Sequence, residues 1–170
     1  MAVFIRRGAC RTYGKLVVIA PFATLSLEVD LDETLPIGPG PEGHRGVAFI
    51  AGGRLDGERI AATVLGGEDW YVRRDDGSLL IDVRLTLHTD DDAFMTLAYA
   101  GELTGTPEAL AAFGRGEQMR AGSHAIEIQA IIGCGDERYA WLDGVPLTGE
   151  GEQAAAGPEY HLSFADGASR

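Results

Sequence analysis

The sequence predicts an all-β, antiparallel fold of about eight to ten strands with one short helix. Between Pro36 and Gly101, short apolar runs alternate with glycine-rich turns every eight to twelve residues or so, which is typical of an antiparallel meander. Asp56-Gly57 and Asp76-Gly77 are strong hairpin signals because both central residues of that turn need a positive φ. From the pattern alone, either a β-sandwich or a closed barrel fits. A barrel has the advantage that it leaves no edge strand unpaired.

Length and composition limit the function. The chain has 170 residues, which predicts one domain, and its 14 basic and 26 acidic residues give a net charge of −12. This charge argues against binding to nucleic acid or to an anionic membrane surface. The apolar stretch 16–27 follows several basic residues, but Pro21 interrupts it and no small-x-small cleavage site follows. With only two cysteines and no run of about eighteen apolar residues, we expect a cytoplasmic protein.

The elements are predicted in order along the chain. Residues 1–20 are an N-terminal extension, and Phe22 to Asp30 alternates apolar and polar residues as a half-buried strand does. The loops are expected at 35–43, at the glycine pairs of the meander (Gly52-Gly53 and Gly66-Gly67 as well as the two Asp-Gly pairs) and at 149–157. The strands are expected at 47–50, 59–65, 70–72, 79–87, 94–99, 123–132, 139–142 and 160–164. Thr106 as N-cap, Pro107 in the first turn and Gly114 as a stop signal predict a helix between them.

An ordered set of motifs resembles the family known as domain of unknown function 3237, over about residues 22–165. The resemblance implies a small β-barrel of the allene-oxide-cyclase type with a pocket, and it implies no general activity. We therefore expect a single antiparallel β-barrel, with the helix closing one mouth. The chain has Glu127 where the family commonly has Arg, and Asp143 where it usually has Asn. The motifs are Gly38 to Arg45, Gly52-Gly53, Gly57, Gly66 to Trp70, Asp82 to Arg84, Thr89 to Asp91, Tyr99 to Gly101 and Tyr139 to Leu142.

Several short motifs have simple structural interpretations. Gly38 to Gly43 satisfies G-x-G-x-x-G, but two prolines and a following strand do not suit a phosphate-binding turn before a helix. Asp90 to Asp92 lacks the alternating ligands and the glycine of a calcium loop, which favours a solvated hairpin turn. The four histidines show no metal-binding spacing. We therefore expect no cofactor and no metal.

The polar row from Asp82 and Arg84 to Thr86 and His88 alternates with apolar residues and permits two interpretations. In the first, the apolar residues point inward and Asp82 and Arg84 form a weak surface pair. In the second, which their positions in the family motifs favour, the polar row lines the lumen. The outer apolar rows would then need a cover, which predicts a homodimer.

These observations lead to one main functional hypothesis. We expect a cofactor-independent isomerase, cyclase or lyase that acts on a small, oxygenated, partly apolar organic molecule in the barrel lumen. The proton-transfer candidates are Asp69, Asp82 and Glu127, and an inward-facing Glu127 is expected to pair with an arginine. The substrate-binding candidates are Arg45, Trp70, Arg84, Tyr99 and Trp141. The alternatives are a non-catalytic binding barrel and a structural or interaction protein with a filled barrel.

Overall fold

The computed structural model describes residues 21–165 and, within them, all side chains except those of residues 31 and 32. The predicted extension 1–20 lies outside the described residues. The described chain contains eight strands, one α-helix and one 3-10 helix. These are β1 (Ala23–Gly40), β2 (Gly43–Gly57), β3 (Ala61–Arg73), β4 (Leu79–Thr89), β5 (Phe94–Gly105), α1 (Pro107–Gly114), β6 (His124–Cys134), the 3-10 helix Glu137–Tyr139, β7 (Pro146–Gln153) and β8 (Pro158–Phe164).

The eight strands form a closed antiparallel barrel in which each strand pairs with its neighbour in sequence and β1 pairs with β8. This confirms the predicted fold class. A filled core occupies the half of the barrel next to the 3-10 helix. The fully buried side chains there include Leu55, Leu87, Leu97, Ile132, Leu142 and Leu162. The other half, where β3 ends and β4 begins, contains a cavity.

The Asp-Gly pairs and the Gly-Gly pairs lie in different kinds of position. Asp56-Gly57 lies at the end of β2, and Asp76-Gly77 lies in the turn before β4, where Gly77 has a φ of 89°. Gly52-Gly53 and Gly66-Gly67, in contrast, lie inside β2 and β3, so the expectation of turns there was wrong. The strand pairing shifts by one residue beside each pair, as at a β-bulge. The strands of the meander are therefore longer and fewer than the apolar runs suggest.

Three other predicted segments differ from the structure. The proline- and glycine-rich stretch 35–43 belongs mostly to β1, which continues to Gly40 and makes a two-residue hairpin to Gly43. Residues 149–157 were expected to be a loop, but β7 extends to Gln153. Residues 139–142 were expected to be a strand, but a short 3-10 helix and a turn replace it. Strands that are rich in polar residues and glycine lack the alternation of apolar and polar residues by which a strand is recognised in a sequence.

Helix α1 confirms the predicted capping. Thr106 is the N-cap, and its hydroxyl oxygen accepts a hydrogen bond of 3.2 Å from the backbone N–H of Ala109. Leu110 is buried, and Phe113 lines the cavity, so the helix closes the mouth at that end of the barrel as expected. A helix of two turns is not stable alone, and these two side chains provide its docking surface.

The burial of side chains on β4 and β6 decides between the two interpretations of the polar row that begins at Asp82. Ile81, Val83, Leu85 and Leu87 are buried, and the alternating residues on β4, Asp82 among them, face outward. β6 alternates in the same way, with Ile126 and Ile128 inside and Glu127 outside. The polar rows therefore do not line the lumen, because burying the larger apolar side chains gains more free energy than burying charged ones.

Candidate functional site

The barrel contains a cavity of about 150 Å³ at the end covered by α1. Its walls are mostly apolar, and the polar side chains that line it are Thr34 from β1, Asp69, Tyr71 and Arg73 from β3, Tyr99 from β5, Gln153 from β7 and Tyr160 from β8. Pockets for small organic ligands have this composition. The apolar walls include Leu27, Ile50, Leu79, Ile81, Leu103 and Ile126.

A β-bulge in β3 determines which side chains enter the cavity. Val64 pairs with Leu87 and Gly66 with Thr86, so Leu65 is an extra residue between them. Before the bulge, Ala62 and Val64 point inward. Strict alternation would then bring Trp70 inside, but the extra residue reverses the order, so that Asp69 lines the cavity and Trp70 is 56% exposed.

The Asp69 carboxyl group lies in a mostly apolar environment. Beyond the Asp69–Val83 pair, the β3–β4 ladder is interrupted until Val72 pairs with Leu80. Within this gap the backbone N–H of Asp82 donates a hydrogen bond of 3.3 Å to Asp69 Oδ1. Loss of hydration raises the pKa of Asp69 to about 7; the hydrogen bond lowers it and the nearby Asp82 charge raises it by smaller amounts. Asp69 is therefore able to accept and release a proton near neutral pH.

Two tyrosines face Asp69 across the lumen. Tyr99 pairs with Val83, which pairs with Asp69, so the three side chains form one inward row on adjacent strands. Tyr160 approaches from β8, and its ring centroid lies 5.3 Å from that of Tyr99 in an edge-to-face arrangement. Burial is the main cause that raises the pKa of both hydroxyl groups; the hydrogen bond between the two hydroxyls raises the pKa of Tyr99 and lowers that of Tyr160, and a charged Asp69 raises both. Both hydroxyls stay protonated at neutral pH, and because one O–H is used between the two tyrosines, the other is left to donate to a ligand.

The mouth of the cavity contains Arg73 and Phe113. The guanidinium carbon of Arg73 lies 5.9 Å from the centroid of the Phe113 ring. Deeper in, the ring of Tyr71 lies over Gly46 of β2; a Cβ at Gly46 would come within 2.3 Å of it. Tyr71 therefore packs against β2 and forms part of the cavity wall between Arg73 and Asp69.

Three predicted site residues lie on the outer surface. Asp82 and Arg84 form a weak surface pair at 3.9 Å, with the Arg84 side chain 76% exposed. Glu127 also faces outward, directly opposite Glu102 on β5 and Glu150 on β7. Because Glu127 does not face inward, the pairing with an arginine that was expected of an inward-facing Glu127 does not apply. These residues do not contribute to the cavity, and of the three proton-transfer candidates only Asp69 does.

Of the predicted substrate-binding residues, some line the cavity and others lie elsewhere on the barrel. Tyr99 lines the cavity. Arg45 and Trp70 are exposed on the outside of β2 and β3, and the Trp70 indole N–H donates a hydrogen bond of 3.0 Å to Glu68. Trp141 lies at the opposite end of the barrel, under the Arg59 guanidinium at 3.9 Å and beside Phe164.

Sequence reasoning did not identify Tyr71, Arg73 or Tyr160 as site residues. Tyr71 and Arg73 follow Asp69 at intervals of two, so an inward Asp69 implies that they are inward as well. The signal for this was present, but it depends on recognising Gly66-Gly67 as a bulge. Tyr160 reaches the site only because β8 closes the barrel against β1.

The described residues 21–165 contain no group of three or more His, Cys, Asp or Glu side chains that could hold a metal ion. The same residues include no helix with the length and apolar character required to cross a membrane.

Comparison with known proteins supports the fold. A family model described as protein of unknown function (DUF3237) matches residues 19–164. A conserved protein of unknown function from Rhodopseudomonas palustris superimposes with a TM-score of 0.76 at 22% identity, over 84% of this chain and 93% of the other. A β-barrel-like protein from Acinetobacter baumannii gives a TM-score of 0.73 at 24% identity, over 85% and 93%.

A more distant similarity is to a protein described as an enzyme from Penicillium herquei. It gives a TM-score of 0.58 at 14% identity, over 83% of this chain and 90% of the other. No curated protein matches the chain. At these identities the solved structures support the barrel architecture and do not assign an activity.

Proposed function

The chain belongs to the family described as protein of unknown function DUF3237, and we propose that this member is a cofactor-independent acid–base enzyme. Its substrate would be a small, oxygenated, partly apolar molecule held in the lumen, and its reaction an isomerisation, cyclisation or elimination. The observation that carries the proposal is the Asp69 carboxyl group, whose pKa is raised to about 7 in a mostly apolar cavity that it shares with two tyrosine hydroxyls.

Each group has a role in this chemistry. Ionised Asp69 removes a proton from a carbon or hydroxyl of the substrate and returns it at another position or to a leaving group. Tyr99 and Tyr160 remain protonated and are hydrogen-bonded to each other, and the O–H that this pair has left donates a hydrogen bond to the oxygen on which negative charge develops. The apolar walls exclude water, which strengthens these hydrogen bonds.

A second candidate is a non-catalytic binding barrel, because most of the cavity wall is apolar. The shared position of an ionisable carboxyl group and two hydroxyl groups favours the enzyme, since a passive binding site needs no group that titrates near neutral pH. The similar barrel from Penicillium herquei is described as an enzyme, which agrees with catalysis on this architecture. A filled structural barrel agrees poorly with a cavity of about 150 Å³.

Proton exchange with the solvent tests the proposal on a panel of candidate substrates. Cyclic enones, hydroxy ketones and hydroxy acids are incubated with the protein in D₂O, and loss of ¹H signal or appearance of an isomer is followed by NMR. Removing a general acid–base group typically slows a reaction by about 10²- to 10⁴-fold, which we expect for Asp69→Asn. Asp75→Asn, in the exposed turn before β4, is the matched control.

Two results would contradict the proposal. If panel members bind in the lumen but none reacts faster with the wild type than with Asp69→Asn, the protein is a binding barrel. If Asp82→Asn abolishes a reaction that Asp69→Asn leaves intact, the chemistry lies on the outer face of β4. The proposal also includes a cytoplasmic location, which is supported by the low cysteine content.

A further inference from the structure

Arg73, like Arg45, Arg59 and Arg120, has no carboxylate partner among the described side chains, and of these four arginines only Arg73 lines the cavity. Arg54, Arg74, Arg115 and Arg138 each form an ion pair with an aspartate or glutamate on the surface. Among the side chains described within residues 21–165, no carboxylate oxygen lies within 4.0 Å of the Arg73 guanidinium.

The position of Arg73 makes the missing partner significant. Its side chain lines the cavity mouth, contacts the Phe113 ring, and lies so close to the backbone of α1 that a Cβ at Gly114 would come within 2.8 Å of it. A partly buried cation loses hydration, and an anion in the cavity would compensate for that loss. Glycine at position 114 leaves the space that the guanidinium occupies.

We propose that the substrate of this site is a small carboxylic acid about the size of one ring, bound with its carboxylate on Arg73 and its reacting end at Asp69 and Tyr99. This inference rests on the proposed function for the reaction and on Arg73 for the substrate class. A guanidinium group presents two parallel N–H donors that match a carboxylate. A cavity of about 150 Å³ accommodates one benzene-sized ring, which limits the rest of the molecule.

The spacing along β3 agrees with this orientation. Asp69 and Arg73 are four residues apart on the same inward face, which places their Cα atoms roughly 13 Å apart at the usual rise of a strand. Tyr71, between them, has its ring over Gly46. Asp69 and Arg73 line the same cavity, so a single ring with an acid group at one end can contact both.

Binding of matched probes tests the substrate class. 4-Hydroxybenzoate and cyclohexanecarboxylate are compared with the corresponding primary amides, which have the same shape and no charge. Affinity is measured by titration of ¹⁵N-labelled protein, with the backbone amides of residues 69–73 and the Arg73 Nε–H as reporters. In the wild type we expect the acids to bind about 10- to 100-fold more tightly than the amides, as a charge-assisted hydrogen-bond pair predicts.

Three variants assign the effect to Arg73. Arg73→Met is expected to remove the preference for acids, and Arg73→Lys to retain part of it because the charge stays and the paired donors are lost. Arg120→Met, in the exposed loop after α1, removes the same charge near the same end of the barrel and is expected to retain the preference. If Arg73→Met does not fold, the wild-type comparison of acid with amide and the Arg73→Lys variant still test the inference.

The outcomes separate this inference from the proposed function. Equal binding of acids and amides, a preference that survives in Arg73→Met, or no binding of either acid at millimolar concentration would overturn the carboxylate assignment. If the acids bind in a way that depends on Arg73 but no turnover depends on Asp69, the carboxylate assignment is supported. The protein is then a carboxylate-binding barrel without catalysis. Turnover of uncharged ketones that depends on Asp69, with no effect of Arg73→Met, would support the enzyme and contradict the inference.

Discussion

Asp69 of β3 and Tyr99 of β5 lie on the same inward row of the barrel, with only Val83 of β4 between them. The row is completed by the small side chains of Ala48 and Ala130, which pair with Asp69 and Tyr99 respectively. Because small residues flank the two polar ones, a substrate can approach both. The arrangement depends on the register of five strands, β2 to β6, and therefore on the bulge at Leu65 and Gly66.

The first prediction concerns the stability of Asp69→Asn relative to the wild type. The folded-state pKa of Asp69 is about 7, against 3.8 for the unfolded chain, so between these values the folded state binds more protons than the unfolded state. Any stability linked to protonated Asp69 is thus present at low pH and lost as pH rises through about 7. Relative to Asp69→Asn, the wild type should lose about 3 kcal/mol of unfolding free energy between pH 5 and pH 8.

Urea unfolding of the two proteins at several pH values measures this difference. Titration of all other groups cancels in the comparison, because the two chains differ at one residue. A difference in unfolding free energy that is independent of pH would mean that Asp69 is hydrated and ionised throughout this range.

The second prediction concerns Glu127→Gln. Glu127 faces Glu102 and Glu150 directly across the outer surface, and like charges in directly opposite positions destabilise a sheet. We expect the substitution to stabilise the protein by about 0.2–1 kcal/mol and to leave lumen binding unchanged. Chemical unfolding at low salt measures the first effect. A loss of several kcal/mol would instead indicate a buried ion pair at Glu127.

The third prediction concerns the bulge. Gly66 has a φ of 142°, a conformation that residues with a side chain rarely adopt, and a Cβ there would lie 3.2 Å from the Ile50 carbonyl oxygen. Gly66→Ala should therefore cost about 1–3 kcal/mol of unfolding free energy. Gly135→Ala is the control, since a Cβ at Gly135 meets nothing within 4 Å. Equal effects of the two substitutions would show that the bulge tolerates an ordinary residue.

The fourth prediction keeps the homodimer on a new ground, because the polar lumen from which the sequence predicted it is not present. Leu35 and Trp70 lie on the outside of the barrel, each paired with Val47 of β2, and Leu35 is 51% and Trp70 56% exposed. Apolar surfaces of this kind are often covered by another copy of the chain. Light scattering at tens of micromolar should give a dimer for the wild type and a monomer for Trp70→Ser. A monomeric wild type would refute the prediction.

Local signals in the sequence were enough to predict much of the fold. The Asp76-Gly77 turn and the Thr106-Pro107 cap depend on a few neighbouring residues, and both lie where the sequence placed them, whereas Asp56-Gly57 is the end of β2 and the turn follows it. Gly66-Gly67 was misread because a glycine pair suits a bulge as well as a turn. That ambiguity matters for the site, since one extra residue decides whether Asp69 or Trp70 faces the lumen.

The remaining site residues depend on long-range structure. Arg73 and Arg84 look equally suitable for binding in the sequence, but one projects into the cavity and the other into solvent. Tyr160 meets Tyr99 only after β8 pairs with β1. No local pattern encodes such an encounter, because the ends of the barrel-forming segment are brought together by closure of the whole barrel.

The most direct test of the account is an NMR titration of the Asp69 carboxyl carbon, assigned by its absence in Asp69→Asn. If Asp69 lies in a dehydrated acid–base site, its chemical shift should change with a midpoint near pH 7. A midpoint close to the ordinary value of 3.8 would show a hydrated carboxylate and contradict the central claim that the lumen is built for proton transfer at neutral pH.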